Sequence, residues 1–213
     1  MKSSGNVFIL GDSYSTFEGF VPSGYPCYYT SVERDNSGVT KVEQTWWHQW
    51  IKETNGNLVR NCSYSGSTIC KTGYEGADRS DVCFIGRLDR LIEEKFFEEN
   101  SIDTFLIFGG TNDSWANSPI GELQYGDWTS EDLFSVLPAF CYLLDRVKNK
   151  IPNAEIICLI NTELKPEIEN GLKTACQEYG VTFVQLESIT KNGGHPKAAG
   201  MTEIKDQLLA AIK

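Results

Sequence analysis

The chain is poor in the residues that several chemistries require. It has two histidines in 213 residues, far apart at positions 48 and 195, so the clustered imidazoles of a metal site are not on offer. Its seven cysteines, at 27, 62, 70, 83, 141, 158 and 176, include no Cys-x-x-Cys pair. An odd number without close spacing fits reduced, buried thiols rather than a disulfide framework or a zinc site. Basic residues are scarce: 19 lysines and arginines against 29 acids leave a formal charge of -10. That balance repels phosphate backbones and anionic lipid, so neither nucleic acid nor a membrane surface is an expected partner. No apolar run approaches the roughly 20 residues of a membrane helix. The four apolar residues before Gly11 fall short of the ~7 to 15 of a signal-peptide core, which points to a cytoplasmic chain or one whose export signal has been trimmed. There is no Gly-x-Gly and no Gly-x-x-x-x-Gly-Lys, which removes the dinucleotide fingerprint and the phosphate loop. The Gly-x-Ser-x-Gly elbow is also missing around Ser13.

What is present reads as one globular domain over residues 1–213, since 40% hydrophobic content in a chain of this length suffices for one full core. Five short runs rich in apolar and β-branched residues recur: "NVFIL" (6–10), "GNLVRN" (56–61), "DTFLIFG" (103–109), "AEIICLIN" (154–161) and "VTFVQLE" (181–187). Continuous rather than alternating apolarity means that both faces are covered, as in a parallel sheet between helices. Helices are predicted over 45–54, 165–179 and from about Pro196 to Ile212, the last with Ile204, Leu208 and Ile212 at helical spacing. Another covers "TSEDLFSVLPAFCYLLDRVKNK", with Thr129 and Asp132 capping its start and Pro138 kinking it. The expected fold is a three-layer α/β/α domain.

In such a sheet, ligands bind beyond the carboxyl ends of the strands. Three stretches at that end, 14–42, 62–83 and 111–128, resist assignment, and long loops of this kind carry function. The first strand ends in "GDS" (11–13), the second enters "NCSYSGS", the third ends in "GGTND" (109–113), and His195 lies in the turn after the fifth. Each is an ordinary turn sequence taken alone, and His48 among the apolar residues of "TWWHQW" reads as a structural histidine. Together they supply what acyl transfer needs: a hydroxyl nucleophile, a base, and donors for an oxyanion. Ser13 is the candidate nucleophile and His195 the candidate base. The Asn112 side chain and the backbone N–H groups of Ser13 and Gly66 are the candidate oxyanion hole.

Four blocks, "ILGDSYS", "SYSGST", "FGGTND" and "GGHPKAAG", carry Ser13, Gly66, Asn112 and His195 in that order. In this the chain resembles the SGNH hydrolases, the GDSL-like esterase and lipase superfamily. The resemblance implies a flavodoxin-like sheet of strand order 2-1-3-4-5 and serine-esterase chemistry without metal or organic cofactor. Asp12 and Asp113 would support the site from the same loops. One position departs from the pattern. Family members usually carry Asp three residues before the histidine, and here that residue is Asn192. In serine proteases the corresponding exchange costs about 10⁴-fold. Three compensations are open: a backbone carbonyl of the 190–194 turn orienting His195 as a Ser-His dyad, which is the preferred one; Glu187 acting as the acid; or deamidation at Asn192-Gly193. The aromatic residues Tyr14, Phe17, Phe20, Tyr25, Tyr28, Tyr29, Trp115, Tyr125 and Trp128 are candidate cleft walls or, equally, a mini-core of the loops. As walls they suit sugar rings, so the expected substrate is a short, acetyl-type ester on a carbohydrate or another small molecule. A lysophospholipase or thioesterase, and a carbohydrate-binding protein on a degenerate hydrolase scaffold, are the alternatives. The oligomeric state is not legible.

Overall fold

The computed structural model describes residues 3–212. Each of the five apolar runs becomes a strand: β1 (Asn6–Gly11), β2 (Asn57–Asn61), β3 (Thr104–Gly109), β4 (Glu155–Ile160) and β5 (Thr182–Gln185). They form one parallel sheet in the order β2-β1-β3-β4-β5, as the resemblance implied. Among the described residues seven α-helices accompany it: α1 (Trp46–Glu53), α2 (Phe84–Glu93), α3 (Phe96–Glu99), α4 (Thr111–Trp115), α5 (Val136–Lys150), α6 (Pro166–Tyr179) and α7 (Ala198–Ala211). A short antiparallel hairpin, β6 (Lys191–Asn192) and β7 (His195–Pro196), precedes α7. No helix among the described residues is long and apolar enough to cross a membrane.

Successive residues of a strand point to opposite faces, and the two layers follow from that alternation. Phe8, Leu10, Phe105, Ile107, Ile156, Cys158 and Ile160 pack with α2, α5 and α6. Val7, Ile9, Leu106, Phe108, Ile157, Leu159 and Val184 pack on the other face, with Trp46, Trp47 and Trp50 of α1 and Met201, Ile204 and Leu208 of α7. Removing each such side chain from water stabilises the fold by ~1.5–3 kcal/mol, and two-sided burial is what makes the central strands β1, β3 and β4 apolar along most of their length. All seven cysteines are free thiols and all but Cys27 are buried. The six buried ones lie in the α2/α5/α6 layer, and none lies in the other.

Three local expectations need correction. Thr129 and Asp132 do bond to each other, Thr129 Oγ1 donating to Asp132 Oδ2 at 2.8 Å, but they brace a 3-10 turn at Asp132–Phe134. Helix α5 starts later, where the Val136 and Leu137 N–H groups donate to Pro119 O and Ile120 O at 2.8 and 2.9 Å. Pro138 therefore falls in the first turn, where its missing N–H has no intrahelical acceptor to lose, and α5 runs unbroken to Lys150. Pro196 belongs to β7 rather than to α7, which begins at Ala198. Helices α2 and α3 fill residues 84–99, for which the sequence reading made no assignment.

Candidate active site

The site is built where β1, β2 and β3 end. Asp12 follows β1 and its Oδ1 accepts from Tyr14 N at 3.0 Å, which starts a 3-10 turn at Ser13–Ser15 and fixes Ser13 at its head. Trp46 Nε1 of α1 donates to Tyr14 O at 3.1 Å, tying that turn to the helix layer below it. His195 arrives on the β6–β7 hairpin, whose two turn residues, Gly193 (φ +53°) and Gly194 (φ +80°), both have positive φ. A two-residue hairpin of that geometry favours Gly, Asn or Asp at the first place and Gly at the second. A Cβ on Gly194 would also come within 2.9 Å of the Trp115 indole. The Gly-Gly pair is thus the means of turning the imidazole toward β1.

The two groups meet: His195 Nε2 lies 2.9 Å from Ser13 Oγ. On the other side of the ring, Nδ1 lies 3.3 Å from Gly193 O. Donation from Nδ1–H to that carbonyl leaves the Nε2 lone pair to accept the serine proton, which is the tautomer a general base needs. Burial is the main cause that depresses the His195 pKa to about 4, and Arg34 and Lys191 add to it against Gly193 O and Asp35.

Asn112 bonds to Asp12 and Ser67, the chain neighbours of the other two candidate donors, Ser13 and Gly66. Gly66 has φ +83° in the turn that Ser67 N closes by donating to Tyr64 O at 3.1 Å. Asn112, in the first turn of α4 and buried, is held on three sides. Its Nδ2 donates to Ser67 O at 3.0 Å and, over a long 3.4 Å, to Asp12 Oδ2, while its Oδ1 accepts from Tyr74 OH at 2.8 Å.

Beneath lies a buried charged layer. Burial raises the Asp12 carboxyl to about 7, opposed by the Tyr14 N–H. Asp113 accepts from the Ile69 N–H at 2.9 Å, which joins α4 to the Gly66 loop, and burial raises it to about 6. Arg87 of α2 is almost inaccessible, at 1% exposure. Its Nη2 donates to Gly11 O at 3.1 Å and Ser67 Oγ at 3.0 Å, its Nε to Val82 O at 2.9 Å, and its Nη1 to Cys62 O. One guanidinium therefore pins the end of β1, the end of β2 and the Gly66 loop together. The sequence reading missed it, although an arginine aligned with Phe84, Leu88 and Leu91 on an apolar helical stripe is a legible anomaly.

Two of the candidates do not join the dyad. The Asn192 side chain turns away, its Nδ2 donating to Asp35 O. Exposed Glu187 is held through its backbone, its N–H donating to the Gln207 side chain at 2.8 Å. The aromatic residues divide. Tyr14, Phe17, Tyr28 and Tyr29 are buried with α1 and α7, so they belong to the core on that face of the sheet rather than to open cleft walls. Their hydroxyls serve the hairpin: Tyr14 OH donates to Gly194 O and Tyr29 OH to Pro196 O, the latter at 2.7 Å. Tyr125 and Trp128 pack on Tyr179 and Tyr142, away from Ser13. Half-exposed Trp115, 5.7 Å from the His195 ring, and Tyr74, bonded to Asn112, rim the site.

Comparison with known proteins agrees with this architecture. The model of the GDSL-like lipase/acylhydrolase family matches residues 5–212. A protein described as a GDSL-like lipase from Bacteroides uniformis is 46% identical, with a TM-score of 0.90 over 98% of this chain and 95% of its own. Its counterpart from Bacteroides ovatus is 44% identical, with a TM-score of 0.91 and 98% of both chains covered. At 18% identity, an acetyl xylan esterase from Butyrivibrio proteoclasticus shares the fold, with a TM-score of 0.60 over 99% of this chain and 64% of its own. No curated protein matches the sequence.

Proposed function

The chain belongs to the GDSL-like lipase and acylhydrolase family, and from that membership we propose that it is a serine esterase cleaving short acyl esters, acetyl esters of carbohydrates foremost. The observation that carries this reading is the 2.9 Å contact of Ser13 Oγ with His195 Nε2, within reach for general-base catalysis. Ser13 Oγ attacks the ester carbonyl carbon as its proton passes to His195 Nε2. The resulting oxyanion is held by the N–H groups of Ser13 and Gly66 and by Asn112 Nδ2, whose hydrogen on the 3.4 Å contact to Asp12 is the one it can most readily redirect. Collapse breaks the bond to the alcohol, which takes the proton from His195. Water then attacks the acyl carbon as its proton passes to Nε2, and collapse breaks the bond to Ser13 Oγ, which takes that proton back from His195 as the carboxylic acid leaves.

Sugar as the leaving alcohol is supported by the rim. Trp115 and Tyr74 expose aromatic surface beside the reacting groups, which suits the C–H faces of a pyranose, and a structural neighbour acts as an acetyl xylan esterase. The test is hydrolysis of p-nitrophenyl esters from C2 to C12 and of acetylated xylan by the wild type and by Ser13→Ala from matched preparations. The expected result is a maximum at C2, release of acetate from xylan, and loss of both activities in the variant. A maximum at C8 or beyond would move the reading to a lysophospholipase or thioesterase, and glycan binding without turnover to a non-catalytic binding protein.

A further inference from the structure

A histidine without its acid needs another means of orientation, and the Gly193 carbonyl alone is weak. At 3.3 Å it lies beyond the usual N–H···O range, and one long bond leaves a ring free to tilt about it. The structure supplies a plane instead. The His195 imidazole lies flat on the Tyr28 ring, centroids 3.6 Å apart and planes 8° from parallel, while Tyr14 and Trp115 meet it edge-on at 5.4 and 5.7 Å. Tyr28 is itself immobilised. It is 5% exposed, its N–H donates to Thr16 Oγ1 at 2.9 Å, and its hydroxyl donates to Asp35 Oδ2 at 2.7 Å. Asp35 is secured in turn, because Asn192 Nδ2 donates to its carbonyl oxygen.

We propose that Tyr28 is the positioning residue for His195: its ring face takes over the orienting role of the absent acid, Asp35 tethers that ring, and Asn192 holds the tether rather than the imidazole. This accounts for what Asn192 does. Position 192 is the cross-strand partner of His195, close enough for an acid to reach the ring, yet its amide is committed to the Asp35 loop. The same stack covers one face of the imidazole against water. Burial is the largest influence on the ring's protonation and disfavours its cation, Arg34 and Lys191 act in the same direction, and Gly193 O and Asp35 oppose them.

The proposal rests on the esterase reading, so the experiment separates the two. Steady-state kinetics on p-nitrophenyl acetate are measured for wild type, His195→Ala, Tyr28→Leu, Tyr28→Phe and Asp35→Ala, with circular dichroism as the folding check. The His195 titration is followed by NMR, which is simplified by there being two histidines in the chain. His195→Ala at the wild-type rate would sink the esterase reading. If it is inactive, Tyr28→Leu is expected to lose kcat by about 100-fold with KM within about twofold, as for an effect confined to the transition state. Uncovering the ring should also raise the His195 pKa from its position near 4 toward the ordinary histidine range, a change that a merely structural tyrosine would not produce. Tyr28→Phe and Asp35→Ala keep the ring and cut its tether. Each should lose kcat by about three- to tenfold, and the double variant no more than either, as for groups acting through one contact. A folded Tyr28→Leu with kcat within about threefold of wild type would overturn the proposal. Should that variant not fold, unchanged kcat in both tether variants would overturn it equally.

Discussion

In the proposed reaction His195 serves as a base without a carboxylate partner, and its pH behaviour should show it. With a pKa near 4 the imidazole stays neutral, and able to accept the Ser13 proton, throughout the mildly acidic range. The acid limb of kcat/KM, which reports the free enzyme, is therefore expected near pH 4 rather than near the ordinary 6.5. Asn192→Asp places a negative charge across the hairpin from the ring, favours the imidazolium, and should move that limb upward; an unmoved or lowered limb would contradict the electrostatics. Asp12 has the opposite sign of linkage with stability. Its native pKa of about 7 exceeds the ~3.9 of an unfolded chain, so the native state holds a proton that the unfolded state releases. That group's contribution accordingly falls as pH rises from about 4 to about 7. Asp12→Asn, which can still accept from Tyr14 N–H, is expected to raise Tm more at pH 8 than at pH 4, and differential scanning calorimetry at the two values is the check. Residues at this scale were unevenly legible. Ser13 and His195 stand out because chemistry restricts the residue types able to fill those roles. Arg87 and Tyr28 act through partners remote in sequence, Arg87 on Gly11 O across 76 residues and Tyr28 on the ring of His195, which no local pattern encodes.

Elements were clearest where one force dominates. The three central strands, β1, β3 and β4, are buried on both faces, and all five apolar runs match the observed limits within about two residues, the ordinary margin for element ends. Helix boundaries depended on which backbone groups find acceptors. The start of α5 is set by Pro119 O and Ile120 O, partners more than a dozen residues upstream that the pattern around Thr129 does not reveal. Helix α7 shows how an element serves the site without touching substrate. Gly200 in its first turn backs directly onto the hairpin: a Cβ there would lie 2.2 Å from Thr190 O, a backbone atom that cannot step aside without moving β6. Gly200→Ala is expected to destabilise the fold by about 1–3 kcal/mol, as overpacking does, and to lower kcat by displacing His195. Urea denaturation together with p-nitrophenyl acetate kinetics would check it, and a variant of unchanged stability and rate would show that the hairpin does not rest on α7.

For the molecule as a whole, strand order and the location of the site followed from few facts. Parallel strands demand helical crossovers, and crossovers gather the loops after β1, β2, β3 and β5 at one end. What could not be read was how the two layers divide their labour. One layer, built on α1 and α7, carries the tyrosines that secure His195; the other holds α2 with Arg87, which secures the Gly66 loop. The placement of the thiols gives this division a practical use. Six cysteines lie buried in the α2/α5/α6 layer, none lies in the other, and Cys27 alone is partly open. A maleimide added to the native protein would find Cys27 promptly and the rest only as that layer opens, so alkylation followed by mass spectrometry becomes a one-sided gauge of breathing. Activity lost before the second thiol is labelled would locate the first failure in the layer that carries no sulfhydryl at all.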